Sequence, residues 1–452
     1  MRFFRVPGGA PGGASRARGR VGTVAGVVAL RSLALGVNVC TGVLTAAVLG
    51  PDGRGELAAL TLAPQFLPGL AALGLNASFI YNSKADPRHE RGYLGANLVM
   101  LCLAGVAAAA LGWAVLPHWL SQHDPRTVAL ARAFLLVVPV GAMTMTLLAA
   151  AEARGRFGLA NGLVYLQSFC TLAALLVLVG LDRLTPAAAA AAYLLPSVLV
   201  FLCFACTIGR EVKPVPTLRA PFPGRLLRYG ARFYGVDLLG TLSGYLDQIV
   251  LVALLEPAAV GIYAVALSLA RMLNVVQGAI CSVLFPSVAA RGTAEVVGTV
   301  GATLGAAVPV TAAAALAAGL VGPVLLDLLY GPRFAPAVGI FRLLLLDAVV
   351  GGTARILYQA YSGSGRPGWV TGFEAVGTAA ALAAMPVLVP RFGLEGMAWS
   401  VVAGSVVRLA CGVAALRPAL GAGTAALLLS RSDVRAWFRA ARGPAAVEDV
   451  AP

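Results

Sequence analysis

Charge is what this 452-residue chain has least of: only 12% of it is Asp, Glu, Lys or Arg. That is about half the share of an ordinary soluble domain, so a water-soluble globular fold is excluded. Long polar stretches are missing as well, which leaves no room for a catalytic domain outside the apolar runs. Histidine occurs only at His89, His118 and His123, between apolar runs and without the spacing of metal ligands. The seven cysteines (Cys40, Cys102, Cys170, Cys203, Cys206, Cys281, Cys411) all fall inside apolar runs, where a thiol behaves as a small apolar group. No disulfide framework follows, and the Cys203/Cys206 pair has Phe, Leu and Ala for neighbours rather than the setting of a zinc or redox site. No nucleophile stands beside a base, and no metal site or cofactor is expected. Gly363-Ser364-Gly365-Arg366-Pro367-Gly368 matches a dinucleotide fingerprint in letters only, because no strand precedes it.

What fills the chain is hydrocarbon: 59% of residues are hydrophobic and the mean hydropathy is +0.85. Apolar runs of about 20 residues, the length of a membrane-crossing helix, recur throughout. They predict twelve spans: 23–49, 57–81, 93–116, 128–150, 159–180, 186–209, 229–254, 258–284, 297–321, 337–361, 368–389 and 393–416. The alternating short segments of a barrel are absent. The expected fold is an all-α polytopic membrane protein of twelve transmembrane helices in two six-helix lobes.

The net charge of +15 is distributed by side. With the N-terminus inside, only Arg54, Arg126, Arg183, Arg333 and Arg391 lie in external turns, and most of the remaining Lys and Arg are cytoplasmic. The positive-inside rule explains that asymmetry without a nucleic-acid partner and makes both termini cytoplasmic. Arg outnumbers Lys 32 to 2 and Ala is abundant, a composition associated with GC-rich bacteria and hence a bacterial inner membrane.

The domain organisation expected is a disordered basic cytoplasmic segment at 1–22, an N-lobe at 23–209, a linker at 210–228, a C-lobe at 229–416 and a cytoplasmic tail at 417–452. The first span is too long for a cleaved signal peptide and is expected to remain as an anchor. The linker, with Lys213, Pro214, Pro216, Arg219, Pro221, Pro223 and Arg225, reads as a hinge or tether. In the tail, Arg431, Arg435, Arg439 and Arg442 make one cationic face of a helix at 425–442, suited to the anionic inner headgroup layer. Membrane lipids are thus one expected partner.

The two lobes carry traces of one ancestor. Leu49-Gly50-Pro51 with Gly55 returns as Leu255-Glu256-Pro257 with Gly261, 206 residues later. Arg132 finds a counterpart in Arg342, and Gly155-Arg156-Phe157-Gly158 in Gly365-Arg366-Pro367-Gly368, both at 210. Each half has an even number of spans, so a pseudo-two-fold axis along the membrane normal should relate them, with any substrate site between.

Charges within spans are the candidates for function. A charge at a helix centre costs about 2.5–3.5 kcal/mol, so it faces a bundle interior or a wet cavity. From the helical rise, Arg31 lies roughly 12 Å from the inner face with Asp237 at a matching depth, while Arg271, Asp347 and Arg408 lie roughly 15–21 Å from the outer face. Arg132, Arg342, Asp247, Arg232 and Arg355 lie nearer the ends and read as structural. The deep set forms either internal ion pairs that lock helices or a cavity. Three arginines against two aspartates favour a cavity for an anion. Asn38, Gln65, Asn161, Gln167, Asn274 and Gln277 at membrane depth suit a hydrated, hydroxyl-binding wall.

Several runs resemble a known family. Leu49-Gly50-Pro51-Asp52-Gly53-Arg54-Gly55, Asp247 with Pro257, Gly261, Ile262, Tyr263 and Ala264, the Tyr330-Gly331 turn and Gly363-Ser364-Gly365-Arg366 are similar to polysaccharide exporters of the Wzx flippase type. These belong to the multidrug/oligosaccharidyl-lipid/polysaccharide (MOP) superfamily. The resemblance, over residues 23–416, implies two six-helix lobes forming a V by alternating access, and export of a polyprenyl-pyrophosphate-linked oligosaccharide from inner to outer leaflet. Arg271 occupies a position similar to an arginine in the eighth span of the related lipid II flippases. Those have fourteen spans and an arginine cluster across spans one and two, both missing here. On this reading Arg31, Arg271 and Arg408 hold the pyrophosphate, while Asp237 and Asp347 balance charge or bind a coupling proton or sodium ion. A polysaccharide polymerase and glycosyltransferases are the protein partners implied. The alternatives are a drug/cation antiporter of the same superfamily, which would want an acidic cavity, and a membrane glycan polymerase or ligase, which would want a long external loop.

Overall fold

The computed structural model describes residues 13–423, apart from 73 and 289–292. Among the described residues it is all helix and turn, with no strand. The expected tail helix at 425–442 lies outside the described residues, as do the side chains of Arg31, Arg232 and Asp237.

Gly13–Ala71 is helical throughout except at Gly50, whose φ of 67° and ψ of −175° end one rod and begin another. We label these α1 (residues 13–49) and α2 (51–71, resuming beyond a left-handed Gly74 as Leu75–Ala85). Then follow α3 (Glu90–Trp119), α4 (Pro125–Phe134 and Val138–Ala153), α5 (Phe157–Gly180) and α6 (Pro186–Leu194 and Pro196–Phe204). The second half has α7 (Phe222–Leu254), α8 (Pro257–Val288), α9 (Thr293–Tyr330) and α10 (Ala337–Gly363). Pro367–Ala414 divides at Gly393, φ 55°, into α11 (367–392) and α12 (394–414).

The chain is a multi-pass membrane protein, and the twelve rods among its described residues fall on the twelve expected spans. Two expectations are corrected. The external turn foreseen at 50–56 shrinks to the single residue Gly50, because Pro51 suits the first position of a helix and α2 starts there at once. Residues 13–22 are helical rather than disordered, since a helix nucleated in the apolar run extends backwards at little cost. In α7 the apolar stretch among the described residues is Leu238–Leu254, which itself carries Asp247.

The duplication is visible in the bonding. Arg132 on α4 donates Nε–H to the Trp113 carbonyl of α3 at 3.0 Å. Arg342 on α10 makes the same bond to the Gly319 carbonyl of α9 at 3.3 Å. Both arginines are helix staples, as their depth suggested. The Gly-Arg turns match too: Gly155 and Gly365 take φ of 72° and 73°, and the amides of Arg156 and Arg366 reach back to the carbonyls of Ala151 and Tyr361, both at 2.9 Å. Each is a helix cap in which only glycine takes the left-handed turn without cost.

One end of the bundle carries the turns at Pro51 and Pro257, and the other carries the 210–221 linker. At the first, the clasp end, a single apolar cluster crosses between halves, joining Leu57, Leu60 and Ala63 to Tyr263, Val260 and Ala266. Toward the linker end one cluster gathers around Phe79, Tyr93 and Phe204 and takes in Leu226 from the start of α7, where Tyr229 stacks on Tyr81 at 4.1 Å, while another surrounds Leu357, Tyr361 and Phe373. The linker is held rather than free. Arg154 clamps both Glu90 carboxylate oxygens, at 3.0 and 2.8 Å, and reaches Glu211 at 3.4 Å, while the Val215 amide bonds the Arg91 carbonyl. The Glu90 bond raises the Arg154 pKa further above its ordinary value.

Candidate functional site

Two chambers open inside the bundle, and Arg271 lines both. The first, of about 200 Å³, lies between the halves near the clasp end. Arg54, Leu57, Ala58, Thr61, Leu62 and Gln65 of α2 form one wall, and Val260, Tyr263, Ala264, Leu267, Ser268 and Arg271 of α8 form the other. Each member of the second wall is a member of the first advanced by 206 residues, the offset between Pro51 and Pro257. The pseudo-two-fold axis therefore runs through this chamber. Its charge breaks the symmetry: Arg54 faces Val260 as its mate, and Arg271 has Gln65. Tyr193 and Gln248 complete the polar lining, and no carboxylate is among the described lining residues.

At the clasp end the walls touch. A Cβ on Gly55 would stand 1.7 Å from the Pro257 carbonyl oxygen, and one on Gly261 would stand 2.0 Å from that of Pro51. These contacts are reciprocal, as two-fold related surfaces require. They need glycine, because any side chain would meet backbone. Above them, His123 sits in the turn between α3 and α4 with neither ring nitrogen hydrogen-bonded, and burial lowers its pKa.

The second chamber, of about 280 Å³, lies within the second half, among α7, α8, α10, α11 and α12. Here the charges balance. Asp247, Asp347 and Glu374 line it together with Arg271, Arg355 and Arg408. Arg408 Nε stands 3.2 Å from Glu374 Oε2, and Gly377 makes room for the arginine, since a Cβ there would meet its Cγ at 2.1 Å. Asp347 accepts from Ser405 Oγ at 2.6 Å, and Asp247 from Tyr263 OH at 3.0 Å. Arg355 donates to Asn274 Oδ1 at 2.7 Å and Gln277 Oε1 at 2.9 Å. Gln277 passes the chain on to the Ala348 carbonyl at 2.8 Å, over a notch left by Gly352.

The surplus cation inferred from three arginines and two aspartates is therefore absent from this chamber. Glu374 was missing from that tally, and Asp247 and Arg355 belong to the lining rather than the helix ends. Arg408 takes part in an ion pair instead of standing free. Arg271 donates one bond, to the Gly244 carbonyl at 3.0 Å, has its guanidinium 6.0 Å from the Tyr245 ring centre, and stays exposed to both chambers. Gln65 lines the first chamber and Asn274 the second, with Gln277 buried behind it. Asn38, Asn161 and Gln167 are not among the residues lining either chamber. Arg54, expected in an external turn, is the charged residue of the first chamber that sequence reasoning missed. Its position four residues before Ala58 and eleven before Gln65 puts it on the same helical stripe, a signal hidden by the assumed turn at 50–56.

The sequence profile of a family described as "Polysaccharide biosynthesis protein" matches residues 27–290. No curated protein matches the chain in sequence. A solved structure of the lipid II flippase MurJ in an inward closed conformation is similar, with a TM-score of 0.74 at 11% identity over 86% of this chain and 87% of that one. An inward-facing multidrug resistance MATE family transporter of the MOP superfamily gives 0.71 at 17% identity, over 86% and 94%. A mutant of the Vibrio cholerae MATE transporter VcmN gives 0.57 at 15% identity, over 89% and 95%. At these identities the shared property is the fold.

Proposed function

This chain belongs to the polysaccharide biosynthesis protein family within the MOP superfamily, and from that premise we propose that it is a flippase for a polyprenyl-pyrophosphate-linked oligosaccharide. The observation that carries the reading is the chamber between the halves, which two arginines line with no carboxylate among its described lining residues. An anion entering it meets two guanidinium groups, of which Arg271 also faces the carboxylates of the second chamber. A cation would meet repulsion, which argues against the drug/cation antiporter alternative. An isolated sugar hydroxyl moved unpaired into hydrocarbon costs roughly 4–8 kcal/mol, so the glycan needs a wet path while its lipid tail stays in the bilayer.

The linker end is assigned to the cytoplasm from the placement of Lys and Arg, and the membrane to the bacterial inner membrane. Arg271 takes the pyrophosphate, because a planar guanidinium holds phosphate oxygens bidentately and stays charged at every relevant pH. An inside-negative potential favours outward movement of the anion by about 2.3 kcal/mol per charge per 100 mV. Within the balanced chamber, protonation or sodium binding at Asp347 would release Arg355 and Arg408 from its field and so couple ion flow to transport. Arg31 is assigned with Arg271 to the pyrophosphate, and Asp237 to charge balance or a coupling ion. No catalytic role is assigned to any residue, and a polymerase and glycosyltransferases are the expected protein partners.

The test is transbilayer movement in proteoliposomes, using a short polyprenyl-pyrophosphate N-acetylhexosamine with a dithionite-quenchable label on the lipid. A hydrogen bond to a charged group is worth about 1.5–3 kcal/mol, so Arg271→Gln should slow movement at least about tenfold while folding normally. Wild-type rates in that variant, with rapid extrusion of cationic dyes, would replace this reading with the antiporter.

A further inference from the structure

We infer that the chamber between the lobes holds a second anion station, at Arg54, distinct from the one at Arg271 and closer to the clasp. The ligand class is a phosphate or pyrophosphate group. The inference rests on the flippase reading above and deepens it.

Arg54 leaves its guanidinium underused. One nitrogen, Nη1, donates to Thr45 Oγ1 at 3.0 Å, and the buried Nε has no hydrogen-bond partner. No carboxylate pairs with it among the described ion pairs. Its mate by symmetry, Val260, faces the same space from α8, so nothing on the opposite wall answers its charge. Arg271 lies eleven residues along α8 from Val260, which places the two stations about 16 Å apart along the bundle axis. At about 200 Å³ the chamber takes a phosphate-sized group with a few waters.

The location adds a second argument. Arg54 lies between Pro51 and Gly55, the two α2 residues that touch Pro257 and Gly261 at the clasp. An anion moving from Arg271 to Arg54 would arrive directly beneath the contact that must part. Its negative charge would be drawn to the side on which release occurs.

Symmetry supplies the test. Arg54→Val removes the station, and Arg54→Val with Val260→Arg moves the same charge across the axis to the equivalent place on the other wall. Full-length protein in nanodiscs is titrated with inorganic pyrophosphate by calorimetry, alongside Arg271→Gln. The inference predicts that Arg54→Val weakens binding at least threefold and that the double variant regains wild-type affinity within twofold. A purely structural Arg54, acting through Thr45, would leave Arg54→Val either unchanged in affinity or unfolded and not rescued, and either result overturns the inference. Loss of binding in Arg271→Gln alone sinks this inference and leaves the parent reading intact. Unchanged binding in Arg271→Gln sinks the parent reading. A second titration with a short-chain polyprenyl pyrophosphate separates the sources. Tighter binding of the lipid form assigns the station to a lipid head, and equal binding assigns it to a free anion, and both support the site.

Discussion

Arginine does three different jobs in this protein, and depth in the bilayer separates them poorly. Arg132 and Arg342 tie neighbouring helices by the same bond in each half, Arg408 is neutralised by Glu374, and Arg271 remains available to a ligand. The partner decides the role, and partners on distant helices cannot be read from spacing. That is why Arg271 was legible from the sequence while Arg54 and Glu374 were not. Arg132 also lies 5.0 Å over the Trp113 ring, whereas its counterpart in the second half faces Gly319. Arg132→Ala should therefore cost more stability than Arg342→Ala, about 1–2 kcal/mol against about 1, as read from thermal melts in detergent. Neither should change pyrophosphate affinity. His123 gives a pH prediction. Its pKa is lowered in the folded protein, so the unfolded chain takes up the proton first, and stability falls as pH drops below the ordinary imidazole range of about 6.5. His123→Leu should remove much of the difference in melting temperature between pH 7.5 and 5.5, and an unchanged difference would assign the acid sensitivity elsewhere.

Among the elements, the helices announce themselves and their joints do not. Twelve apolar runs become twelve rods, yet Gly50 and Gly393 join their neighbours with a single kinked residue where a loop was expected. Hydropathy measures burial in lipid, and it cannot tell a loop from a glycine that reverses the chain in place. The repeated Pro and Gly at 51/55 and 257/261 were legible as a repeat, but their purpose needed coordinates. They are the surfaces on which α2 and α8 meet. Gly261→Val should push the two halves apart at the clasp. Spin labels introduced at the exposed Gln122 and Arg391 through bio-orthogonal residues should then report distances longer by several ångströms. An unchanged distribution would mean that the clasp yields without moving the lobes.

The whole molecule is two copies of one six-helix design sharing an apolar cluster at the clasp end, while toward the linker the start of α7 packs against α2 and α3 of the first half. A pseudo-two-fold axis relates the two copies. The same axis makes a chamber whose walls are equivalent in position and unequal in charge. Function in this family member would then lie in the places where the two copies have diverged, Arg54 against Val260 and Gln65 against Arg271. The most direct measurement is a cryo-electron microscopy map of the full-length protein in nanodiscs with saturating pyrophosphate. The account predicts density between α2 and α8, against the Arg271 guanidinium. Density confined to the charge-balanced chamber of the second half, or an interlobe space closed by dry contacts with no anion in it, would contradict it.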